Sequence, residues 1–202
     1  MPRQKTQSDE DVLEAAHRLI HRHGPESLTF ERLSQTCGLS GSTLVQRFKN
    51  KATLRQRTLL QAWDRLDAKT TKLADVTPRT PAGAIELLVA LSRDYGDIES
   101  YAEGLLVLRE DLRDPVLRAR GASWKASLCN ILDSCFASVV DTPLDIGLLM
   151  ASHWQGSLLW WSFDPKAEVA SYVEDSLGRF VAAIVTARGA RPKPSVGASH
   201  VG

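Results

Sequence analysis

Almost nothing in these 202 residues speaks of a sheet, a membrane or a metal. There is no stretch of alternating polar and apolar residues and no Asn-Gly or Asp-Gly pair to turn a hairpin, so strands are not expected. Cysteine is scarce: Cys37, Cys129 and Cys135 form no metal or redox spacing. Cys129 and Cys135 lie six apart, on different sides of any helix carrying both, and read as small buried hydrophobes. A reducing cytoplasm is the expected location. No apolar run approaches membrane-spanning length; "FVAAIV" (Phe180–Val185) is among the longest. The charged opening "MPRQKTQSDED" is not expected to be a secretory signal. Gly-rich phosphate loops, a nucleophile elbow and paired carboxylates are also missing. We therefore read the chain as no enzyme, with no cofactor and no metal.

What is present is helical punctuation. Ser8, followed by Asp9, Glu10 and Asp11, supplies a cap and acids suited to a helix N-terminus. Val12, Leu13, Ala16, Leu19 and Ile20 then share one face, and Gly24-Pro25 closes the helix. His17 and His21 fall on its polar side as surface residues without a third ligand, while His23 lies nearer the apolar face. Thr29 caps a second, short helix that ends at Gly38. Ser40 caps a third bearing Leu44 and Phe48, and Asn50 caps a long fourth with Leu54, Leu59, Trp63, Leu66 and Leu73. Beyond it, a capping residue precedes proline four times: Thr80-Pro81, Asp114-Pro115, Thr142-Pro143 and Asp164-Pro165. With a break near Asp97–Ser100 these predict helices over about 81–98, 100–112, 115–140, 143–163 and 165–188. The fold class is all-α: a three-helix head with a helix-turn-helix, then a helical bundle, about nine helices in total. The expected division is a head at 1–50, a body at 51–188 and a disordered Gly/Pro/Ser-rich tail at 189–202.

Net charge is +1, but the first 57 residues carry ten Lys/Arg against six Asp/Glu, and the rest fifteen against eighteen. "GLSGSTLVQRFKNKATLRQR" (Gly38–Arg57) holds five bases and no acid. A helix ending in Gly, a three-residue turn and a second short helix capped by Ser is helix-turn-helix spacing. Its second helix would enter a major groove by its N-terminal residues. Ser40, Ser42 and Thr43 offer short hydroxyls to phosphate or base. Gln46 can pair with adenine, Arg47 with guanine or a phosphate, and Val45 can pack on a thymine methyl. Lys49 adds charge, and Lys51 opens the fourth helix, where free backbone N–H groups favour a phosphate. A solvated helical hairpin without nucleic acid is the plainer alternative for the basic stretch alone.

The order of these signals in "VLEAAHRLIHRHGPESLTFERLSQTCGLSGSTLVQRFKNKATL" (Val12–Leu54) resembles the TetR (tetracycline-repressor-like) family of bacterial transcriptional regulators. The resemblance covers about a fifth of the chain; beyond it, only the nine-helix organisation and "QGSLLWWSFDP" (Gln155–Pro165) look familial. It implies that Thr29, Ser40, Thr43 and Lys51 touch DNA backbone. The chain departs from the family pattern in three places. Gly41-Ser42 stands where Lys-Gly is usual, Val45 where Tyr is usual, and Gln46 and Arg47 where aromatic residues are frequent. The resemblance further implies a homodimer on a palindromic double-stranded operator, a repressor habit, and a small apolar or amphipathic effector. Constitutive binding of DNA or a protein partner, without an effector, is the alternative.

Effector candidates come from the aromatics of the body. Five tryptophans are many for a helical bundle, and Tyr101, Trp124, Phe136, Trp154 and Trp160 could line an apolar pocket with His153 orienting the ligand. Packing in the core is their simpler role. The two last predicted helices, 143–163 and 165–188, carry broad apolar faces and Gly156, and are the candidates for a dimer interface.

Overall fold

The structure is a computed structural model that describes residues 7–189, with side chains placed through Ile184. The predicted tail lies outside the described residues, apart from Gly189, which ends the last helix. Among the described residues there are nine α-helices, two short 3-10 turns and no strand. They are α1 (Asp9–His23), α2 (Phe30–Cys37), α3 (Gly41–Phe48), α4 (Lys51–Val76), α5 (Pro81–Ser92), α6 (Ile98–Arg113), α7 (Pro115–Cys135), α8 (Ile146–Phe163) and α9 (Val169–Gly189).

The first seven starts follow the capping grammar. Ser8 and Asp11 form a reciprocal capping box, and Thr29, Ser40, Asn50, Thr80 and Asp97 each accept from the backbone N–H three residues on. Asp114 accepts from both Val116 and Leu117. Each such cap satisfies a donor that no helical carbonyl can reach.

The last two starts differ from expectation. Thr142-Pro143 does not begin a helix: the predicted 115–140 helix stops at Cys135, and the Thr142 hydroxyl instead donates back to the Val139 carbonyl at 2.7 Å, in the turn that follows. The helix begins at Ile146 after Asp145, whose φ of 55° breaks the chain direction. Asp164-Pro165 likewise stays in a turn, and Glu168 caps α9 by accepting from Ser171 N–H at 2.9 Å. The predicted 81–98 helix ends at Ser92, followed by a 3-10 turn over Arg93–Tyr95.

Two cores form. The first gathers Val12, Leu13, Ala16, Ile20, Leu28, Leu33, Leu44, Phe48, Leu54 and Leu59, together with Leu117 from α7. The second fills the body with Leu87, Leu88, Trp124, Leu128, Leu132, Met150, Trp154, Leu158, Trp161, Val173 and Leu177. Trp63 of α4 packs against both. In the body, α5 packs on α9, α7 on α8, and α8 on α9. One glycine sets how closely α8 approaches α7, and another lets the turn before α5 fold tightly back. A Cβ on Gly147 would lie 2.1 Å from the Cys129 carbonyl oxygen, and one on Gly83 would lie 2.0 Å from that of Pro78. Gly147→Ala must push α8 off α7. We expect a loss of about 1–3 kcal/mol in urea denaturation, whereas Gly178→Ala, with open space at its Cβ, should cost far less.

Candidate nucleic-acid interface

The recognition surface is built by making one face of α3 immovable. Leu44 and Phe48 are wholly buried, and the Ser40 hydroxyl caps the N-terminus at Thr43 N–H, 3.1 Å away. Gly38, at φ 67°, turns the chain between α2 and α3. What remains outward is Ser42, Val45, Gln46 and Lys49, all exposed, with Gly41 and Thr43 half-buried beside them. Val45 is 46% exposed, an apolar side chain left in solvent on an otherwise polar surface. Lys49 ends α3 with φ at 64°. That region is cheap only for glycine, so a lysine here is held at a conformational cost of about 1 kcal/mol.

The basic residues separate into two kinds. Arg47 donates to the Gln7 carbonyl at 2.7 Å and lies 3.6 Å from Asp9, so it is turned toward α1 rather than left free. Lys51 pairs with Glu26 at 3.2 Å, and this partner holds the Glu26 carboxyl below its usual range. Arg55 pairs with the nearly buried Glu110 at 3.0 Å, and Arg57 with Asp9 at 3.0 Å. Lys49, by contrast, makes no ion pair among the described residues. Thr29 spends its hydroxyl on Arg32 N–H, 3.1 Å away. The expectation for Arg47 as a free reader therefore meets a committed side chain. Sequence spacing could not show this, because its partner lies 38 positions earlier.

The histidines of α1 also shift roles. His17 is the half-buried one, and its pKa is lowered by burial and by the nearby His21 and Arg18 charges. His23, expected nearer the apolar face, is exposed. No cluster of three ligating side chains exists among the described residues.

The aromatic candidates divide as well. Tyr101, Trp124, Phe136 and Trp154 are buried in the body core. Trp124 donates to the Thr70 hydroxyl at 3.0 Å and Trp154 to that of Ser92 at 2.8 Å, so their polar ends are satisfied. His153 stacks on Phe180 at 4.3 Å and shares Ser176 with Ser157. Trp160 does not join them. It is 69% exposed on the outer side of α8, near Phe163. A cleft of about 580 Å³ lies elsewhere, where α4 meets the α6–α7 turn, lined by Glu26, Thr53, Arg55, Gln56, Glu110, Arg113 and Asp114, with none of the six candidates.

Beside that cleft, three acids tie α4 to α6 and α7. Glu110 takes Arg55, Asp114 takes Gln56 Nε2 at 2.8 Å, and Asp111 takes Trp63 Nε1–H at 3.2 Å. Burial pushes the Asp111 carboxyl up to about 6 from 3.8. The Asp114 and Glu110 charges add to the rise and the Trp63 bond opposes it. A folded-state value above the unfolded one means the folded chain binds the extra proton. Stability from this group is thus gained as pH falls through about 6 and lost as pH rises past it. Asp111→Asn keeps an acceptor for Trp63 and removes the charge. Its thermal midpoint should exceed the native one at about pH 8, with the gap closing toward about pH 4–5.

Residues 12–58 match the family model described as bacterial regulatory proteins, tetR family. No curated protein matches the sequence. Among solved structures, a transcriptional regulator from Rhodococcus superposes with a TM-score of 0.71 at 16% identity, over 90% of this chain and 97% of that one. The TetR family regulator PfmR from Thermus thermophilus gives 0.60 at 21%, over 87% and 97%. A Saccharomonospora viridis protein, described as a transcriptional regulator in complex with choline, gives 0.67 at 17%, over 85% and 93%.

Proposed function

We propose, from the match of residues 12–58 to the model of the tetR family of bacterial regulatory proteins, that the protein is a homodimeric repressor that binds a palindromic operator and is released by a small effector. The observation that carries the DNA-binding part is the outward face of α3. Ser42, Val45, Gln46 and Lys49 stand in solvent while Leu44 and Phe48 lock the opposite face. Ser42 and Gln46 meet base edges, Val45 packs on a thymine methyl, and Lys49 meets phosphate. Thr29, Ser40, Gly41, Thr43 and Lys51 would contribute contacts to the DNA backbone. Residues 1–50 act as the head and 51–188 as the body. No helix among the described residues is long and apolar enough to cross a membrane.

Supporting the dimer is the outer side of α8. Leu148, Leu149, Leu159, Trp160 and Phe163 are 42–75% exposed along one helix, and nothing lies within 4 Å of a Cβ placed on Gly156. Ser152, Gln155 and Gly156 separate the two leucines from the Leu159, Trp160 and Phe163 group, and exposed apolar groups on one helix favour a protein contact there. The helices that would meet are α8 and α9, each with its copy, and two-fold symmetry would set the heads one helical turn of DNA apart, about 34–36 Å. Trp160→Glu should convert the dimer to a monomer in analytical ultracentrifugation and abolish cooperative binding to a palindrome.

The choline complex of the Saccharomonospora protein shows that one chain of this fold holds a small molecule; here the aromatics of the body would enclose an apolar or amphipathic one. The tight burial of Trp124 and Trp154, with both N–H groups spent, favours the second reading, constitutive DNA binding without an effector. A thermal-shift screen with released operator as its second readout separates the two. Coupling must be reciprocal, so an effector that weakens DNA binding is itself bound less tightly in the complex.

The deciding experiment is enrichment of host genomic fragments on the purified protein. A recurrent inverted repeat is expected; retention with no sequence preference would overturn the operator reading. Lys49→Gly should leave folding stability at or above the native level, since glycine is at ease at φ 64°, while weakening operator binding and lowering the salt slope by about 0.9.

A further inference from the structure

One carboxylate links three helices of the head, α1, α3 and α4. Asp9 sits in the first turn of α1. Its Oδ1 lies 3.6 Å from Arg47 Nη1, in the last turn of α3, and its Oδ2 lies 3.0 Å from Arg57 Nη2, in the second turn of α4. Arg47 Nη1 also donates to the Gln7 carbonyl at 2.7 Å, just before α1 begins. Arg57 in turn holds its guanidinium carbon 4.9 Å above the ring of Phe48, the wholly buried anchor of α3. Arg47 is left only 24% exposed.

Arg47 lies in the last turn of α3 between the exposed Gln46 and Lys49, and its long side chain, once released from α1, would extend toward the same groove. An unattached guanidinium there would seek phosphate, because bidentate pairing to a phosphate is among the stronger charge-assisted contacts. Such a contact carries no sequence information and strengthens binding to every duplex alike. Resting on the DNA-binding reading above, we infer that Asp9 is a positioning residue for recognition: it holds Arg47 and Arg57 on the protein side and so keeps Arg47 out of the phosphate-contacting set.

This arrangement lowers non-specific affinity without touching a base contact. Sequence choice then depends more on Ser42, Val45 and Gln46, which read edges, and less on charge. It also ties α3 to the second turn of α4 through one acid, beside the direct contact that Arg57 makes with Phe48.

The test uses the full chain and random-sequence duplex DNA, with affinity measured across a salt titration. In Asp9→Asn the magnitude of the slope of log K against log salt should rise by about 0.9, one added phosphate contact, and binding at low salt should tighten. In Asp9→Asn with Arg47→Gln it should return to the native slope. Arg47→Gln alone should leave the slope unchanged. A merely structural acid would weaken binding without steepening its salt dependence. As a readout that needs no DNA, the Arg47 Nε–H group should become more mobile in NMR relaxation when Asp9 is replaced.

An unaltered slope in Asp9→Asn, a slope that falls in Arg47→Gln alone, or an Arg47 equally rigid in both proteins would overturn the role of Asp9 while leaving DNA binding standing. A native protein that retains no duplex at any salt would sink the DNA-binding reading and this role together. The two failures are therefore told apart by the native titration.

Discussion

A short helix can be offered to a partner only if something else keeps it still, and the head meets that constraint with two buried side chains. Leu44 and Phe48 put one edge of α3 into the core that α1, α2 and α4 share, while the Ser40 cap satisfies its first turn without any tertiary partner. Isolated helices of eight residues are marginal in water. The order of α3 is therefore borrowed from its neighbours, and its outward residues are free to be chosen for contact rather than for stability. Val45 in solvent and Lys49 in a left-handed conformation are choices of this kind: neither helps the fold, and both lie on the outward side.

The same economy governs α4. Its first turns complete the head core through Leu54 and Leu59, its later turns lie on the body through Leu66 and Leu73, and Trp63 meets both cores. Polar pairs fasten it along the way: Arg55 to Glu110, Gln56 to Asp114, Arg65 to Glu14 of α1, and Arg120 of α7 to Asp64 and Asp67. Most of these are partly exposed and individually weak. Fastenings of that strength can exchange without unfolding either core. The buried Asp111 is the exception, a charge held in a low-dielectric site with one donor.

Much of this was legible in the chain. Caps and breakers are local chemistry, so Ser8, Thr29, Ser40, Asn50, Thr80 and Asp114 marked their helices from sequence alone. The same reasoning failed at Thr142-Pro143 and Asp164-Pro165. Proline at a first helical position is permitted, not compelled, and there the chain turned first and began the helix at Ile146 and Val169. For the site, helix-turn-helix spacing and side-chain chemistry named Ser42, Val45, Gln46 and Lys49, which lie exposed on α3. The commitments of Arg47 to Asp9 and of Lys51 to Glu26 were not legible, because pairings across tens of residues are set by tertiary approach. Likewise, a tryptophan in the sequence carries no mark of side: Trp154 lies in the core and Trp160, six positions on, faces out.

Leu117 bears on how far the head is a module. It belongs to α7, yet only 2% of it is exposed, and it sits among the side chains of α1–α4. A transplant of the first fifty residues onto another regulator would leave a leucine-sized vacancy, along with those normally filled by Leu54 and Leu59. Specificity in such proteins is thus more readily re-tuned by exchanging a few groove-facing side chains than by swapping the unit that carries them. The seam between reader and scaffold runs through a shared hydrophobic joint, not through a linker.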